Sequence, residues 1–283
     1  MNTAEVEVLL SLGSGPLMIS QLVESLGMSM SWVSECVTHL EGMRFIEKQR
    51  GGHAKWVKIA QSELGESLRL LIAESSYLNL SKALTGPGLA MLPLLQSPGS
   101  TQAQIHRRTS LSRPTIGARI KLWMGMGVLL MEHHPHRYLL NPSRSYLVQF
   151  IEDYSRERNS RFLRVKEPSG VIVWQHRDEF LFSMDGSTSE PEFLNAGATR
   201  LGELGYNVVH TREYYLQSEG LEAVSEEEAL VQTLRADPEN PRAMRFIRDA
   251  MQKHRVYSAS LLEYANKYGL NASIAKAGVR HGE

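Results

Sequence analysis

Residues 101–141 read TQAQIHRRTSLSRPTIGARIKLWMGMGVLLMEHHPHRYLLN, and the fold of this 283-residue chain follows from how that stretch is parsed. A helix over about 101–109 is followed by a tight turn. Ser112 then stands where an N-cap belongs, its hydroxyl placed to accept from an amide left without a partner inside the next helix. Ile116, Ile120 and Trp123 recur at i, i+4 and i+7, a stripe that faces a core. The opposite side carries Arg113, Thr115, Gly117 and Lys121, which are cationic, hydroxylated or small, as a helix lying in a DNA major groove requires. After Gly127, two apolar runs, 128–131 and 138–140, flank His133, His134, Pro135 and His136 and predict a hairpin with a polar tip. Helix, turn, helix and hairpin in this order predict a winged helix-turn-helix.

Charge points the same way. Between Ser81 and Ser145 the cations are Lys82, Arg107, Arg108, Arg113, Arg119, Lys121, Arg137 and Arg144 against Glu132 alone, eight against one and so +7, while the whole chain nets zero. Such a local surplus is the footprint of a nucleic-acid surface, because neutralising phosphates releases counterions. The expected partner is double-stranded DNA. The expected contacts are Arg107, Arg108, Ser112, Arg113, Thr115, Gly117, Arg119 and Lys121, with His133, His134, His136 and Arg137 on the wing.

Residues 1–60 repeat the pattern. A shift of 83 carries Leu22 onto Ile105, Ser29 onto Ser112, Val33 onto Ile116, Val37 onto Ile120, Leu40 onto Trp123 and Met43 onto Met126 without a gap. A second winged helix is therefore expected, with helices over about 3–12, 20–26 and 29–41 and strands over 45–49 and 55–59. Its outward helix side would present Met30, Ser31, Trp32, Ser34, Glu35 and Thr38, and its wing Lys48, Arg50 and Lys55. This unit is the poorer DNA surface: Arg44, Lys48, Arg50, Lys55 and Lys58, clustered in the wing, face six glutamates, for a net charge of −1, which leaves it either to touch DNA through that wing alone or to serve as a protein-binding or dimerisation surface.

Beyond these units, 62–79 reads as a connecting helix, 81–95 as the first helix of the second unit with a turn at 85–88, and 145–164 as a helix striped by Leu147, Phe150, Ile151 and Tyr154. The stripes of the two flanking helices offer candidate seams for a homodimer, with the competing reading that the tandem unit and the carboxyl domain consume both within one chain. From Glu167 the composition turns net acidic. Hairpin strands are expected at 171–174 and 180–184, a helix at 195–205, and strands at 208–209 and 214–216. A helix capped at Ser225 follows, then helices near 240–254 and 258–268, and a frayed tail from Ala275. The expected class is α+β, mainly α, with tandem winged helix-turn-helix units at 1–80 and 81–166 and a small α+β regulatory or oligomerisation domain at 167–283.

Composition bounds the rest. With 42% apolar and 22% charged residues the chain reads as an ordinary globular protein; no apolar run reaches a membrane span, and the start lacks a basic signal region, so a cytoplasmic location is expected. Cys36 is the only cysteine, which excludes an intramolecular disulfide and a thiolate cluster. No nucleophile, base and orienter can be assigned, so no enzyme and no cofactor are expected. Glu226, Glu227 and Glu228 read as a solvated first helical turn. The wing histidines lack carboxylate or thiolate support for a metal, and phosphate contacts suit them better.

The stretch SRPTIGARIKLW (112–123), followed by GVLLMEHHPHRYLLNP (127–142), resembles archaeal winged-helix transcriptional regulators of the ArsR-like kind. Gly117 stands where those regulators carry Ser or Thr. Downstream, TRLGELGYNVV (199–209), YYL (214–216), VSEEEALVQTLRAD (224–237) and LLEYANKYGL (261–270) are similar to the carboxyl half of abortive-infection antitoxins. That resemblance implies a winged helix that represses transcription and a carboxyl domain that contacts a nucleotidyltransferase-type toxin.

Overall fold

A computed structural model describes residues 1–51, 54–75, 78–133, 136–208, 210–238, 241–252 and 258–276. Helix α1 (Thr3–Leu12) opens on Asn2, whose side chain accepts from the Glu5 amide while the Asn2 amide donates to the Glu5 carboxylate. Strand β1 (Leu17–Met18), helices α2 (Ile19–Leu26) and α3 (Met30–Gly42), and a hairpin of β2 (Ile46–Gly51) and β3 (Ala54–Ile59) follow, in sheet order β1-β3-β2. Helix α4 (Glu63–Glu74) leads to α5 (Leu80–Leu84), α6 (Gly88–Met91) and a 3-10 turn at Leu92–Leu95. Then come α7 (Gln102–Thr109), α8 (Arg113–Gly125), the antiparallel pair β4 (Leu129–His133) and β5 (His136–Leu140), and α9 (Ser145–Lys166).

The offset of 83 recurs in the backbone. It carries α2 onto α7 and α3 onto α8 at both ends, and the start of β2 onto the start of β4. Left-handed residues fall in register, Gly27 (φ 63°) with Ser110 (φ 54°) and Arg44 (φ 61°) with Gly127 (φ 64°). The Phe45 amide donates to the Leu40 carbonyl as the Val128 amide does to Trp123, and the Leu17 pairing with Val57 returns as the bridge between Ser100 and Tyr138. The first helix departs from the repeat. Its counterpart was expected over 81–95 with a turn at 85–88, and the chain does break there, where Gly86 adopts φ 61° and Pro87 carries no amide hydrogen to continue a ladder; a further break falls at Pro93, which carries none either.

The chain divides into two compact units, Met1–Arg158 and Asn159–Glu283. In the first, both repeats empty into one core: Val6, Leu22, Val33, Val37 and Leu40 belong to the same cluster as Ile105, Ile116, Ile120, Trp123 and Val128. Phe45 joins them to α9, with ring centroids 6.0 Å from Phe150 and 5.9 Å from Tyr154. Leu64, Leu68 and Leu71 of α4, and Leu147, Phe150 and Ile151 of α9, are buried in that cluster. Of the two readings of these stripes, burial within the chain is the one observed, and they do not stay free as dimer seams. Each small helical set buries too little apolar surface by itself, and the flanking helices supply the remainder.

In the second unit, β6 (Val171–His176), β7 (Glu179–Met184), β8 (Phe193–Asn195), the helix α10 (Gly197–Glu203) and β9 (Glu213–Gln217) precede α11 (Glu226–Ala236), α12 (Pro241–Gln252), α13 (Ser258–Tyr268) and α14 (Asn271–Lys276). The four strands form an antiparallel sheet ordered β6-β7-β9-β8. Side chains alternate along β7, so Phe180, Phe182 and Met184 pack with Phe193, Tyr215 and Leu163 on one face, while Leu181 joins Leu216, Leu230 and Leu261 on the other. Three expectations change here. Val208 lies in irregular chain and Val209 falls outside the described residues; β8 occupies residues 193–195, just where a helix was expected to begin; and α14 takes in residues expected to fray. No helix among the described residues is long and apolar enough to cross a membrane.

Candidate functional site

Helix α8 is the centre of the candidate surface, and its capping decides how it is presented. The Ser112 hydroxyl accepts from the Thr115 amide at 3.3 Å and lies 2.8 Å from the Thr115 hydroxyl, so both hydroxyls are engaged with each other at the helix start. Pro114 sits in the first turn, where a missing amide hydrogen costs nothing. The preceding turn is held by the His106 ring, whose Nδ1 donates to the Leu111 carbonyl at 2.6 Å, and by the Thr109 hydroxyl, which donates to Ile105. Ile116, Ile120 and Trp123 are buried as their spacing requires, and the Trp123 indole donates to the Ala83 carbonyl at 3.2 Å.

Arg113, Pro114, Thr115, Ala118, Lys121 and Gly125 are exposed, and a Cβ built at Gly117 or Gly125 meets nothing within 4 Å. The outward face is therefore low and backbone-rich, with cations at its start and middle. Sequence reasoning named Arg113, Thr115, Gly117 and Lys121 but missed Pro114, Ala118 and Gly125. A helical projection at 100° per residue places Pro114, Ala118 and Gly125 opposite the core stripe, and that signal was available.

Arg119 takes another position. Its Nη1 donates to the Lys82 carbonyl at 2.7 Å and its guanidinium carbon lies 5.6 Å from the Trp123 ring centroid; burial lowers its pKa from the usual arginine range. With the Trp123 indole it caps the carbonyls at the end of α5, tying α8 to that short helix.

Arg107 is exposed near the end of α7 and Arg108 is half-buried beside it. Among the described residues, no carboxylate pairs with Arg107, Arg113 or Lys121. On the hairpin, Arg137 is half-buried and in register with Glu132, while His133 and His136 face each other at the tip with ring centroids 5.9 Å apart. His134 lies outside the described residues, and among those described no cluster fit to hold a metal is found.

The equivalent surface of the first repeat differs in kind. Ser31, Trp32, Glu35 and Thr38 are exposed and Ser34 is half-buried. Its cations are spent locally: Lys48 pairs with Glu41 at 2.6 Å and donates to the Thr38 hydroxyl, Lys58 pairs with Glu47 at 2.9 Å, and Arg44 pairs with Glu157 at 3.2 Å. Lys55 is exposed, and the Arg50 side chain lies outside the described residues. Cys36, at the position of Arg119, is buried, and burial pushes its thiol up.

The second unit holds a buried polar network that sequence reasoning missed, having read Glu228 as solvated. Glu228 is buried and accepts from Lys267 at 2.8 Å and from the Tyr268 hydroxyl at 2.7 Å. Gln232 donates to the Tyr268 oxygen at 2.7 Å and accepts from the Gly197 amide at 2.9 Å, and Lys267 also pairs with Glu179 at 3.2 Å. Tyr206 donates to Glu226 in the same first turn of α11. The partners of each group lie on other elements, so the network fastens α11 and α13 to the sheet.

Neither the protein-family models nor the curated proteins compared with this chain include a match to it.

Proposed function

We propose that the two repeats are tandem winged helices and that the chain is a non-enzymatic, sequence-specific transcriptional regulator that binds double-stranded DNA through α8. The observation that carries this reading is the outward face of α8 and its neighbour α7: Arg107, Arg113 and Lys121 stand exposed without a carboxylate partner among the described residues, around the low surface of Pro114, Gly117, Ala118 and Gly125. Cations left unpaired on a helix whose backbone is approachable suit phosphate contact and base-edge readout together. The hairpin tip with His133 and His136 reaches the backbone beside the groove in this reading, and the second unit supplies regulation. Salt-titrated mobility shifts on random duplex, with genome-wide footprinting of the tagged protein, test it. Affinity should fall steeply with salt, and the footprints should share a recurring sequence; salt-insensitive binding with no shared sequence ends the proposal.

A further inference from the structure

The surface of the first repeat that corresponds to the α8 face is a charge-inverted and apolar version of it. At the offset of 83, Arg107 is replaced by Glu24, Arg113 by Met30, Thr115 by Trp32, Ala118 by Glu35 and Lys121 by Thr38, and all five replacements are exposed. Met30 is 52% and Trp32 44% exposed, on a helix whose inward residues Val33, Val37 and Leu40 are fully buried. Among the described residues no cation pairs with Glu24 or Glu35. A duplex brought to this face would meet carboxylates where phosphates need cations, and a bare indole and thioether would stay in water. The surface suits a partner that offers cations around a low apolar seat.

We propose that this α3 face docks on the α8 face of a second copy of the chain. The occupant follows from complementarity: α8 and α7 present Arg107, Arg113 and Lys121 without carboxylate partners, and Gly117, Ala118 and Gly125 leave room for Trp32 and Met30 to approach the helix backbone. Because different patches meet, the contact closes as a two-fold pair that uses both patches twice, or extends as a chain. Resting on the DNA reading of α8, it makes self-association and DNA binding mutually exclusive.

Sedimentation of the full chain across a wide concentration range, with and without random duplex, tests this. Reversible self-association is expected, weakened by salt and reversed by duplex. Trp32→Ala should weaken it about tenfold or more, as loss of a central aromatic anchor does. Glu35→Lys and Lys121→Glu should each weaken it, and the two together in one chain should restore it. Trp32, Glu35 and Lys121 are exposed, so thermal unfolding of the variants should match the parent and separates a lost contact from a lost fold. A chain that binds duplex yet stays monomeric, or whose assembly ignores Trp32→Ala and both charge reversals, overturns the docking and leaves the DNA reading standing. Assembly with these signatures in a chain that binds no duplex overturns the DNA reading and the competition with duplex, and retains the docking contact.

Discussion

Arg44 and Gly127 occupy one backbone position in two repeats of a single chain, with φ 61° and 64°. Each is the residue that turns a helix into the following strand, and the left-handed conformation there costs a residue with a Cβ about 1 to 2 kcal/mol. Glycine avoids that cost in the second repeat. In the first, the arginine side chain recovers part of it through the ion pair with Glu157. Gly127→Ala is accordingly expected to lower stability by about 1 kcal/mol, whereas Arg44→Gly relieves strain, gives up a half-exposed pair, and should change stability by less than about 0.5 kcal/mol. Urea unfolding followed by circular dichroism checks both; a larger loss for Arg44→Gly would mean that its side chain outweighs the backbone.

Arg113 and Arg119 should separate cleanly. Arg113→Ala removes an exposed side chain at the start of α8, so unfolding should be unchanged while affinity for the footprinted site falls by about 1 to 3 kcal/mol and discrimination there relaxes. Equal losses on cognate and random duplex would reassign Arg113 to phosphate contact.

Arg119→Ala instead removes the bond to Lys82 and the stack on Trp123. Stability should fall by about 1 to 2 kcal/mol, and affinity for all duplexes should decline together with discrimination retained. Parallel melting and mobility-shift measurements read both quantities, and a loss of discrimination without a loss of stability would place Arg119 on the DNA instead.

The polar network of the second unit should show itself at alkaline pH. Burial alone lowers the Lys267 pKa, but attraction to Glu179 and Glu228 outweighs it, and the net shift is upward; burial pushes the Tyr268 phenol far up, with Glu228 adding to it. Both groups hold their protons more tightly folded than unfolded. Their stabilisation is complete below about pH 10, where the unfolded side chains titrate, and is lost as pH rises through the folded values. Thermal midpoints should therefore drop above about pH 10. Lys267→Met, which strands the buried Glu228 carboxylate, should cost about 3 kcal/mol near neutrality and flatten the alkaline fall; an unchanged alkaline slope would place its origin elsewhere.

Local features were legible in the sequence because their causes are local. Ser29 and Ser112 cap their helices as their side chains predict, and the stripes Val33, Val37, Leu40 and Ile116, Ile120, Trp123 are buried at helical spacing. A mixed α+β chain rich in helix, with its repeat at an offset of 83, is written in caps and periodicity that act over a few residues. Tertiary structure alone decided that Phe45 stacks against Phe150 and Tyr154, that both repeats share one core, that Arg119 turns to the Lys82 carbonyl, and that Glu228 is buried against Lys267 and Tyr268. The physical reason is the same in each case. A side chain with two compatible environments, such as an arginine facing water or a free carbonyl, or a glutamate at a helix start, is assigned by partners tens of residues away, and neither spacing nor composition carries that information.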